Sequence, residues 1–205
     1  MRIVGGESRG RRLKSLPGRS VRPTSERARE ALFDILGERV VGSRFLDLFA
    51  GVGAVGLEAL SRGAEQAVLV EASERAARVI RQNMDALGAG ARARLVRGDA
   101  MTALRGLAAA GAKFDIVFMD PPYRDRRGLE RALAAITRAN ASDAAETAVE
   151  AQAQAGILAP DAIVVVEHDA HAPPLAATGT LAVERSRRFG EAVLTFFRPH
   201  RRPGS

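Results

Sequence analysis

The sequence of 205 residues contains no cysteine and only three histidines. Without a thiol the chain can form no disulfide bond and no thiolate metal site, and it has no cysteine nucleophile. This excludes C5 methylation of pyrimidines, in which a thiol first attacks the ring. The histidines, His168, His171 and His200, lack the spacing of metal ligands. We therefore expect no metal.

Long apolar segments are also missing. No uninterrupted apolar run approaches the roughly 20 residues that are needed to cross a bilayer. The first residues, Met1–Gly6, lack the apolar stretch and the small-residue cleavage site of a signal peptide. We therefore expect no membrane association and a cytoplasmic location.

Positive charge is abundant, with a formal net charge of +7 and a pI of about 11.1. One cluster comprises Arg2, Arg9, Arg11, Arg12, Lys14, Arg19, Arg22, Arg27 and Arg29. A second comprises Arg185, Arg187, Arg188, Arg198, Arg201 and Arg202. The guanidinium group donates two parallel hydrogen bonds to phosphate. The clusters favour a nucleic-acid partner, although a solvated basic surface or the arginine bias of a GC-rich genome would give a similar composition.

The length suits one α/β domain with a buried core and an N-terminal appendage. We expect residues 1–42 to form a basic arm, extended or folded as a short hairpin, and a helix, which together bind RNA. Within this extension Pro23-Thr24-Ser25-Glu26 is typical of a helix start, and apolar residues then recur at helical spacing to about residue 40. Residues 43–200 would form the catalytic domain.

Strands and helices alternate after residue 43. The pattern predicts strands over 44–48, 67–71, 92–97, 114–119 and 163–167, and helices over 54–62, 73–87, 100–109 and 127–137. Ser73 is a good N-cap for the second of these helices, and Gly88 stops it. A β-hairpin over 180–188 and 192–198 follows. The Ala-rich stretch 138–156 is either a helix continuation or a mobile insertion. This order predicts an α/β fold with a parallel sheet wound on both faces, whose ligands bind at the carboxyl ends of its strands.

A glycine-rich segment follows the first strand, in Asp47-Leu48-Phe49-Ala50-Gly51-Val52-Gly53-Ala54-Val55-Gly56. Glycines allow a tight turn and let a ligand approach the backbone at the start of the next helix. Glu71 ends the second strand, where a carboxylate can bind ribose hydroxyls. Gly51, Gly53, Gly56 and this acid match a dinucleotide fingerprint, so an NAD- or FAD-linked oxidoreductase is one reading. A purely structural turn is another.

Two further acids favour S-adenosylmethionine over a dinucleotide. Asp47, at the end of the first strand, suits the ammonium group of a methionine moiety and would repel a pyrophosphate. Asp99, in Gly98-Asp99-Ala100, ends the third strand and could accept a hydrogen bond from an adenine amino group. Acids at three successive strand ends make this cofactor the preferred interpretation.

The fourth strand ends in Asp120-Pro121-Pro122-Tyr123, which is the most specific motif of the chain. The exocyclic amine of a base is a poor nucleophile because its lone pair is delocalised into the ring. The carboxylate of Asp120 and the carbonyl of Pro121 could each accept one N–H and orient the lone pair. The two prolines restrict the backbone, and Tyr123 offers a ring for stacking an extruded base. The alternative is a Pro-Pro turn that merely ends a strand.

These motifs together resemble the class I amino-methyltransferases that act on adenine N6 or guanine N2. Further matches are Ile3-Val4-Gly5-Gly6, Arg9-Gly10-Arg11, Arg22-Pro23-Thr24-Ser25-x-Arg27-x-Arg29-Glu30-Ala31-Leu32-Phe33 and Leu57-Glu58-Ala59-Leu60-Ser61-Arg62-Gly63. With them, nearly the whole chain resembles the bacterial 16S rRNA (guanine-N2)-methyltransferase family. The stretch 138–156 is longer than the family's usual connection at that point.

The resemblance implies a Rossmann-like sheet of seven strands, mostly parallel with a C-terminal antiparallel hairpin, plus an N-terminal hairpin and helix. It implies S-adenosylmethionine as the cofactor and 16S rRNA, or an assembling small ribosomal subunit, as the partner of a monomeric enzyme. The cofactor residues would be Asp47, Phe49, Gly51, Gly53, Glu71, Asp99 and Ala100. The base would meet Asp120, Pro121, Pro122 and Tyr123, and the RNA would meet Arg9, Arg11, Arg22, Thr24 and Arg27.

Three other functions are compatible with parts of the sequence. A DNA adenine-N6 methyltransferase shares both core motifs and would methylate naked duplex DNA. An oxidoreductase would bind NAD and not S-adenosylmethionine. A non-catalytic RNA-binding assembly factor would bind RNA without transferring a methyl group.

Overall fold

A computed structural model describes residues 1–16, 23–121, 126–138, 156–173, 175–177 and 180–200. The Ala-rich stretch predicted as a helix continuation or insertion lies outside these residues from 139 to 155.

The strands form one seven-stranded sheet. Their bounds are β1 Arg44–Asp47, β2 Gln66–Glu71, β3 Ala93–Arg97, β4 Phe114–Met119, β5 Leu158–Asp169, β6 Leu181–Phe189 and β7 Ala192–Pro199. They lie side by side in the order β3-β2-β1-β4-β5-β7-β6. The first five are parallel to one another, and β7 pairs antiparallel with both β5 and β6. The predicted α/β architecture is confirmed.

The described residues contain five α-helices, with bounds α1 Pro23–Leu36, which precedes the sheet, α2 Ala54–Ser61, α3 Glu74–Leu87, α4 Ala100–Ala109 and α5 Arg126–Arg138. Ser73 caps α3 by accepting a hydrogen bond from the Ala76 N–H, and Gly88 ends α3 in the left-handed conformation. Both were expected from the sequence. The first helix is shorter than predicted, because Gly37 adopts a φ of +54° and residues Gly37–Val40 continue as a 3-10 helix.

Each face of the sheet packs against its own hydrophobic cluster, because alternate residues of a strand point to opposite faces. One cluster includes Phe33 of α1, Leu57 of α2 and Ile80 of α3. The other includes Leu104 of α4 and Leu133 of α5. The apolar strands predicted from the sequence are therefore covered on both sides.

The last parallel strand is longer than predicted, since β5 begins at Leu158 rather than at residue 163. Phe114 of β4 pairs with Leu158 and Ile116 pairs with Ile163, so the register shifts between them. Pro160 and Asp161 lie in the shifted segment, and they interrupt the apolar pattern on which the prediction depended.

The N-terminal arm, residues 1–16, forms the expected hairpin. Arg2 and Arg12 make an antiparallel bridge, the Ile3 N–H donates to the Arg11 carbonyl, and the Leu13 N–H donates to the Met1 carbonyl. Ile3 and Leu13 are buried in the cluster that holds α1, α2 and α3. Among the described residues, no helix combines the length and apolar character needed to cross a membrane.

Candidate cofactor and base-binding site

The order of strands reverses between β1 and β4. The chain adds β2 and then β3 on one side of β1, and it then crosses to add β4 on the other side. In open α/β sheets, ligands bind beyond the carboxyl ends of the strands at such a point. The ends of β3, β2, β1 and β4 carry Asp99, Glu71, Asp47 and Asp120 in that spatial order. The topology thus aligns all four predicted acids along one edge.

The glycine loop, residues 48–53, leaves β1 and enters α2. Gly51 and Gly53 have φ angles of +59° and +83°, which L side chains rarely adopt. A Cβ on Gly56 would lie 3.0 Å from the Leu69 Cγ atom, so this glycine lets α2 pack closely on β2. The sequence pattern therefore serves two purposes, a left-handed turn beneath the ligand and tight helix–strand packing.

Asp47 is 1% exposed and holds the first turn of α2, directly after the glycine loop, with one carboxylate oxygen. Its Oδ2 accepts a hydrogen bond of 3.0 Å from the Gly56 N–H, whereas Oδ1 is buried without a partner among the described residues. Burial, aided by the charge of Glu71, raises the pKa of Asp47 to about 7, although the Gly56 hydrogen bond acts to lower it. An unpaired buried oxygen of this kind indicates a missing donor.

Glu71 fastens the loop from the neighbouring strand. Its Oε2 accepts a hydrogen bond of 2.8 Å from the Gly51 N–H, and its Oε1 accepts one of 2.7 Å from the Ser73 N–H. Each carboxylate oxygen has a second lone pair, so both could still accept a hydroxyl donor. The side chain is half-buried. It is a loop anchor as well as a candidate ribose ligand, and sequence reasoning found only the second role.

Asp99 is exposed and caps α4. Its Oδ1 accepts hydrogen bonds of 3.0 Å from the backbone N–H groups of both Met101 and Thr102. The capping role was not predicted, although an Asp before a helical segment is its usual signal. Ala100 follows it as the first residue of α4 and is buried, and Phe49 of the loop is half-buried.

The carboxyl ends of β1, β2 and β3 carry groups that fit S-adenosylmethionine. An ammonium group would supply the donor that Asp47 Oδ1 lacks and would favour its ionised form. Glu71, one strand away, would face ribose hydroxyls, and Asp99, on the next strand, would face adenine. The positive φ angles of Gly51 and Gly53 bring loop backbone to the same edge. A pyrophosphate would instead meet a buried carboxylate, which opposes the dinucleotide interpretation.

The predicted base-binding motif begins at the end of β4, on the other side of the point where the strand order reverses. Asp47 pairs in register with Phe118, and the Leu48 N–H donates to the Phe118 carbonyl at 3.0 Å. Asp120, two residues beyond Phe118, is half-buried, and Pro121 is buried. Pro122 and Tyr123 lie outside the described residues. The start of the motif therefore adjoins the methionine end of the candidate cofactor site.

The predicted RNA-binding residues divide into several groups. Arg9 and Arg27 are exposed, and both line a cavity of about 400 Å³ between the arm and α1. Arg11 is exposed too, but it donates a hydrogen bond to the Ala86 carbonyl near the end of α3. Arg22 and the side chain of Thr24 lie outside the described part of the chain. Arg9 and Arg27 thus share one surface depression.

One member of the N-terminal basic cluster was wrongly interpreted. Arg29 is 4% exposed, and its Nε donates a 2.7 Å hydrogen bond to Glu58 Oε2, itself 0% exposed. Arg29 also donates to the Arg2 carbonyl, and Glu58 accepts from Arg62 at 3.0 Å. This buried network fixes the arm and α1 to α2. A sequence cannot show a pairing between residues so far apart.

The C-terminal basic cluster lies largely on an edge strand. Arg185, Arg187 and Arg188 are exposed on β6, which pairs with β7 alone. Arg198 of β7 pairs with Glu184 at 3.0 Å. The turn between β6 and β7 lies beside the carboxyl end of β5, since Ala192 pairs with Asp169. Arg187 and Arg188 therefore lie near the carboxyl edge of the sheet, whereas Arg198 donates to the Asp161 carbonyl near the amino end of β5.

The histidines show no metal-site arrangement in the described residues, where no cluster of three or more candidate ligands occurs. His168 is 9% exposed and bonds through Nε2 to the Thr195 hydroxyl at 2.9 Å. Thr195 in turn contacts the Ser186 hydroxyl at 3.0 Å. His171 lies beside Asp169 and Glu191 at 3.1 and 3.3 Å.

The chain is similar to known proteins in both sequence and fold. Residues 1–144 match the model of a family described as "Conserved hypothetical protein 95". The chain is 33% identical over 190 residues to "Putative rRNA methyltransferase YlbH" of Bacillus subtilis (strain 168), covering 93% of this chain and 94% of that protein. It is 45% identical over 129 residues to "Ribosomal RNA small subunit methyltransferase D" of Escherichia coli (strain K12), covering 63% of this chain and 62% of that protein.

A solved structure is similar over nearly the whole length. "Putative methyltransferase yhhF" from Escherichia coli superimposes with a TM-score of 0.76 at 34% identity, and the match covers 98% of this chain and 99% of that one. The fold predicted from the sequence, a Rossmann-like methyltransferase sheet of seven strands, is confirmed. Since the family model spans more than half of the chain and YlbH matches almost all of it, the chain belongs to the conserved hypothetical protein 95 family, which confirms the resemblance inferred from its motifs.

Proposed function

We propose that the protein is an S-adenosylmethionine-dependent methyltransferase that methylates the exocyclic N2 amine of a guanine in 16S rRNA of the small ribosomal subunit. The observation that supports it best is the buried Oδ1 of Asp47, which has no partner in the described part of the chain and lies one strand away from the Asp120-Pro121 strand end. The names of the relatives in Bacillus subtilis and Escherichia coli support ribosomal RNA as the substrate class.

Cofactor binding is assigned to the ends of β1, β2 and β3. Asp47 would hold the ammonium group, Glu71 the ribose, and Asp99 the adenine amino group, with contacts from Phe49, Gly51, Gly53 and Ala100. When bound, S-adenosylmethionine supplies an activated methyl group. The protein contributes position and polarity and forms no covalent intermediate.

The target amine is assigned to the end of β4. The carboxylate of Asp120 and the carbonyl of Pro121 each accept one N–H, which turns the lone pair of the amine toward the methyl donor. Pro122 restricts the backbone, and Tyr123 stacks on the base. After methylation the surplus proton of the amine leaves to Asp120 or to water. Removal of this proton completes the reaction without a metal.

RNA binding is assigned to residues 1–42 as an extension of a catalytic domain that spans residues 43–200. Arg9 and Arg27 support this role, because both are exposed on the cavity between the arm and α1. Arg11, Arg22 and Thr24 complete the proposed set. We further propose that the protein acts as a monomer in the cytoplasm on 16S rRNA or an assembling small subunit.

The decisive experiment measures methyl transfer to small ribosomal subunits isolated from cells that lack this protein. Asp120→Ala should lower the rate by about 100- to 1000-fold, the range seen when one preorganised polar group is removed from an active site. Mass mapping of the methylated 16S rRNA would identify the nucleotide and atom. Binding of S-adenosylhomocysteine should be kept in the variant, which controls for folding.

Three results would redirect the assignment. Near wild-type activity of Asp120→Ala would overturn the role of Asp120. Transfer to naked duplex DNA in preference to ribosomal subunits would indicate an adenine-N6 enzyme. Calorimetric binding of NAD without binding of S-adenosylhomocysteine would indicate an oxidoreductase.

A further inference from the structure

Asn83 of α3 is a fully buried polar residue outside the predicted site, with 0% exposure. Its Oδ1 accepts a 2.8 Å hydrogen bond from the Lys14 N–H. Its Nδ2 donates to the Lys14 carbonyl at 3.2 Å and to the Val52 carbonyl at 3.0 Å. Both hydrogens of the amide are therefore used. A flipped amide would turn its oxygen toward two carbonyls, so the network sets a single orientation.

The partners of Asn83 belong to two different functional segments. Lys14 lies in the N-terminal arm, shortly before the chain enters α1, and the arm carries Arg9 of the proposed RNA-binding set. Val52 lies in the glycine loop between Gly51 and Gly53, the two residues with positive φ. One rigid side chain therefore contacts backbone of the arm and backbone of the cofactor loop.

Several other anchors of the arm attach it to α2, while Arg11 donates to the Ala86 carbonyl of α3 and Glu7 pairs with Arg92. Ser61 donates to the Gly5 carbonyl at 2.6 Å and accepts from the Ser8 N–H at 2.9 Å. Glu58 accepts from the Val4 N–H and from Arg29. The bonds of Ser61 and Glu58 hold the arm to α2 and do not involve the glycine loop. Asn83, in contrast, bonds both the arm and the loop.

We propose that Asn83 is a positioning residue that couples the RNA-binding arm to the cofactor loop, so that RNA and cofactor each strengthen the binding of the other. A shift of Lys14 when RNA engages the arm moves the amide of Asn83 and, through it, the Val52 carbonyl. The geometry favours this because an unpaired buried amide or carbonyl is costly, so the three groups move together. The inference rests on the proposed function of the arm.

The measurement is the dissociation constant of S-adenosylhomocysteine, by calorimetry, with and without saturating small ribosomal subunits that lack the methylation. Coupling between two binding sites commonly changes affinity by about 5- to 150-fold, and the same factor must apply to the RNA. We expect wild-type protein to bind the cofactor product at least about 5-fold more tightly with the subunit present. In Asn83→Ala this ratio should fall to about 1, whereas a merely structural role would weaken both ligands and keep the ratio.

Matched variants test the hydrogen bonds between Asn83 and the Lys14 backbone separately from other effects. Lys14→Pro removes the N–H that bonds Asn83 Oδ1 and leaves Asn83 in the core, so it decides the question if Asn83→Ala does not fold. Lys14→Ala removes only the side chain and should keep the wild-type ratio. Ser61→Ala loosens the arm from α2, and Gln82→Ala changes an exposed amide of the same helix. Both should keep the ratio.

The outcomes separate this inference from the proposed function. If wild-type protein binds both partners and the ratio is 1, or if folded Asn83→Ala and Lys14→Pro keep the wild-type ratio, the coupling role is overturned while the function stands. If wild-type protein binds neither S-adenosylhomocysteine nor the subunit, the proposed function itself fails.

Discussion

The carboxyl ends of β1 and β3 carry the same residue type at the same edge of the sheet, yet the two sites differ physically. Asp47 at β1 is buried and keeps one oxygen without a partner among the described residues. Asp99 at β3 is exposed, and two backbone N–H groups of α4 already donate to it. Sequence position alone assigned both to the cofactor.

The difference separates a group built for a ligand from one that also maintains the fold. A buried carboxylate with an unused oxygen is unfavourable unless a donor arrives, so Asp47 is explained by a cationic ligand. The capping of α4 explains the presence of an aspartate at position 99 without any ligand. The two acids should therefore respond differently to substitution.

The largest effect is expected for Asp47→Asn. The Gly56 N–H needs an oxygen acceptor, so the new amide nitrogen would take the place of Oδ1 and point its hydrogens at the ligand's ammonium group. Loss of a hydrogen bond to a charged group costs about 1.5–3 kcal/mol, so the affinity for S-adenosylhomocysteine should fall about 10- to 100-fold. Calorimetry measures the change. An unchanged affinity would remove the main support for the ammonium site.

A smaller effect is expected on the number of protons released when the ligand binds. The pKa of Asp47 is raised from 3.8 to about 7 by burial. Between these two values of pH, Asp47 is protonated in the folded protein without ligand and ionised in the unfolded chain. Asp47 therefore stabilises the fold at low pH, and this contribution is lost as pH rises from about 4 through about 7. An arriving ammonium group favours the ionised form, so S-adenosylhomocysteine binding should release up to one proton at pH 6 and almost none at pH 9.

Calorimetry in buffers of different ionisation enthalpy counts these protons. The Asp47→Asn variant is the control and should release none through this group. In wild type, Asp47 should make the free energy of unfolding decrease between pH 4 and pH 7, and this decrease should be absent from the variant. Equal proton release in wild type and variant would place the titrating group elsewhere.

Much of the site was predictable because its signals are local. The glycine spacing, the acids at strand ends, the Ser73 cap and the Gly88 stop each depend on a few consecutive residues, and all were found where expected. The succession of strands and helices along the chain followed from the apolar patterns, whereas the order of strands within the sheet is known from the structure. The start of β5 was missed because Pro160 and Asp161 mask an extended segment that pairs through an irregular register.

Apart from the local Asp99 cap and the start of β5, the unpredicted features depend on contacts distant in sequence. Arg29 and Glu58 are 29 residues apart, and Asn83 and Lys14 are 69 apart. The sequence placed Arg29 in a basic cluster that favours a nucleic-acid partner, whereas its burial beside Glu58 makes it part of the core. Only the three-dimensional structure distinguishes an arginine that binds a partner from one that fastens two elements together.

The smallest effect in the comparison is expected for Asp99. Asp99→Ala removes the cap of α4 and should lower the free energy of unfolding by about 1 kcal/mol, measured by urea denaturation. Asp99→Asn keeps a capping oxygen, so its stability should stay within a few tenths of a kcal/mol of wild type. If adenine also donates to Asp99, the Asn variant should still lose several-fold in S-adenosylhomocysteine affinity, since a charged acceptor is replaced by a neutral one. If its affinity is unchanged, Asp99 is a helix cap alone, and the cofactor is held mainly from the ends of β1 and β2.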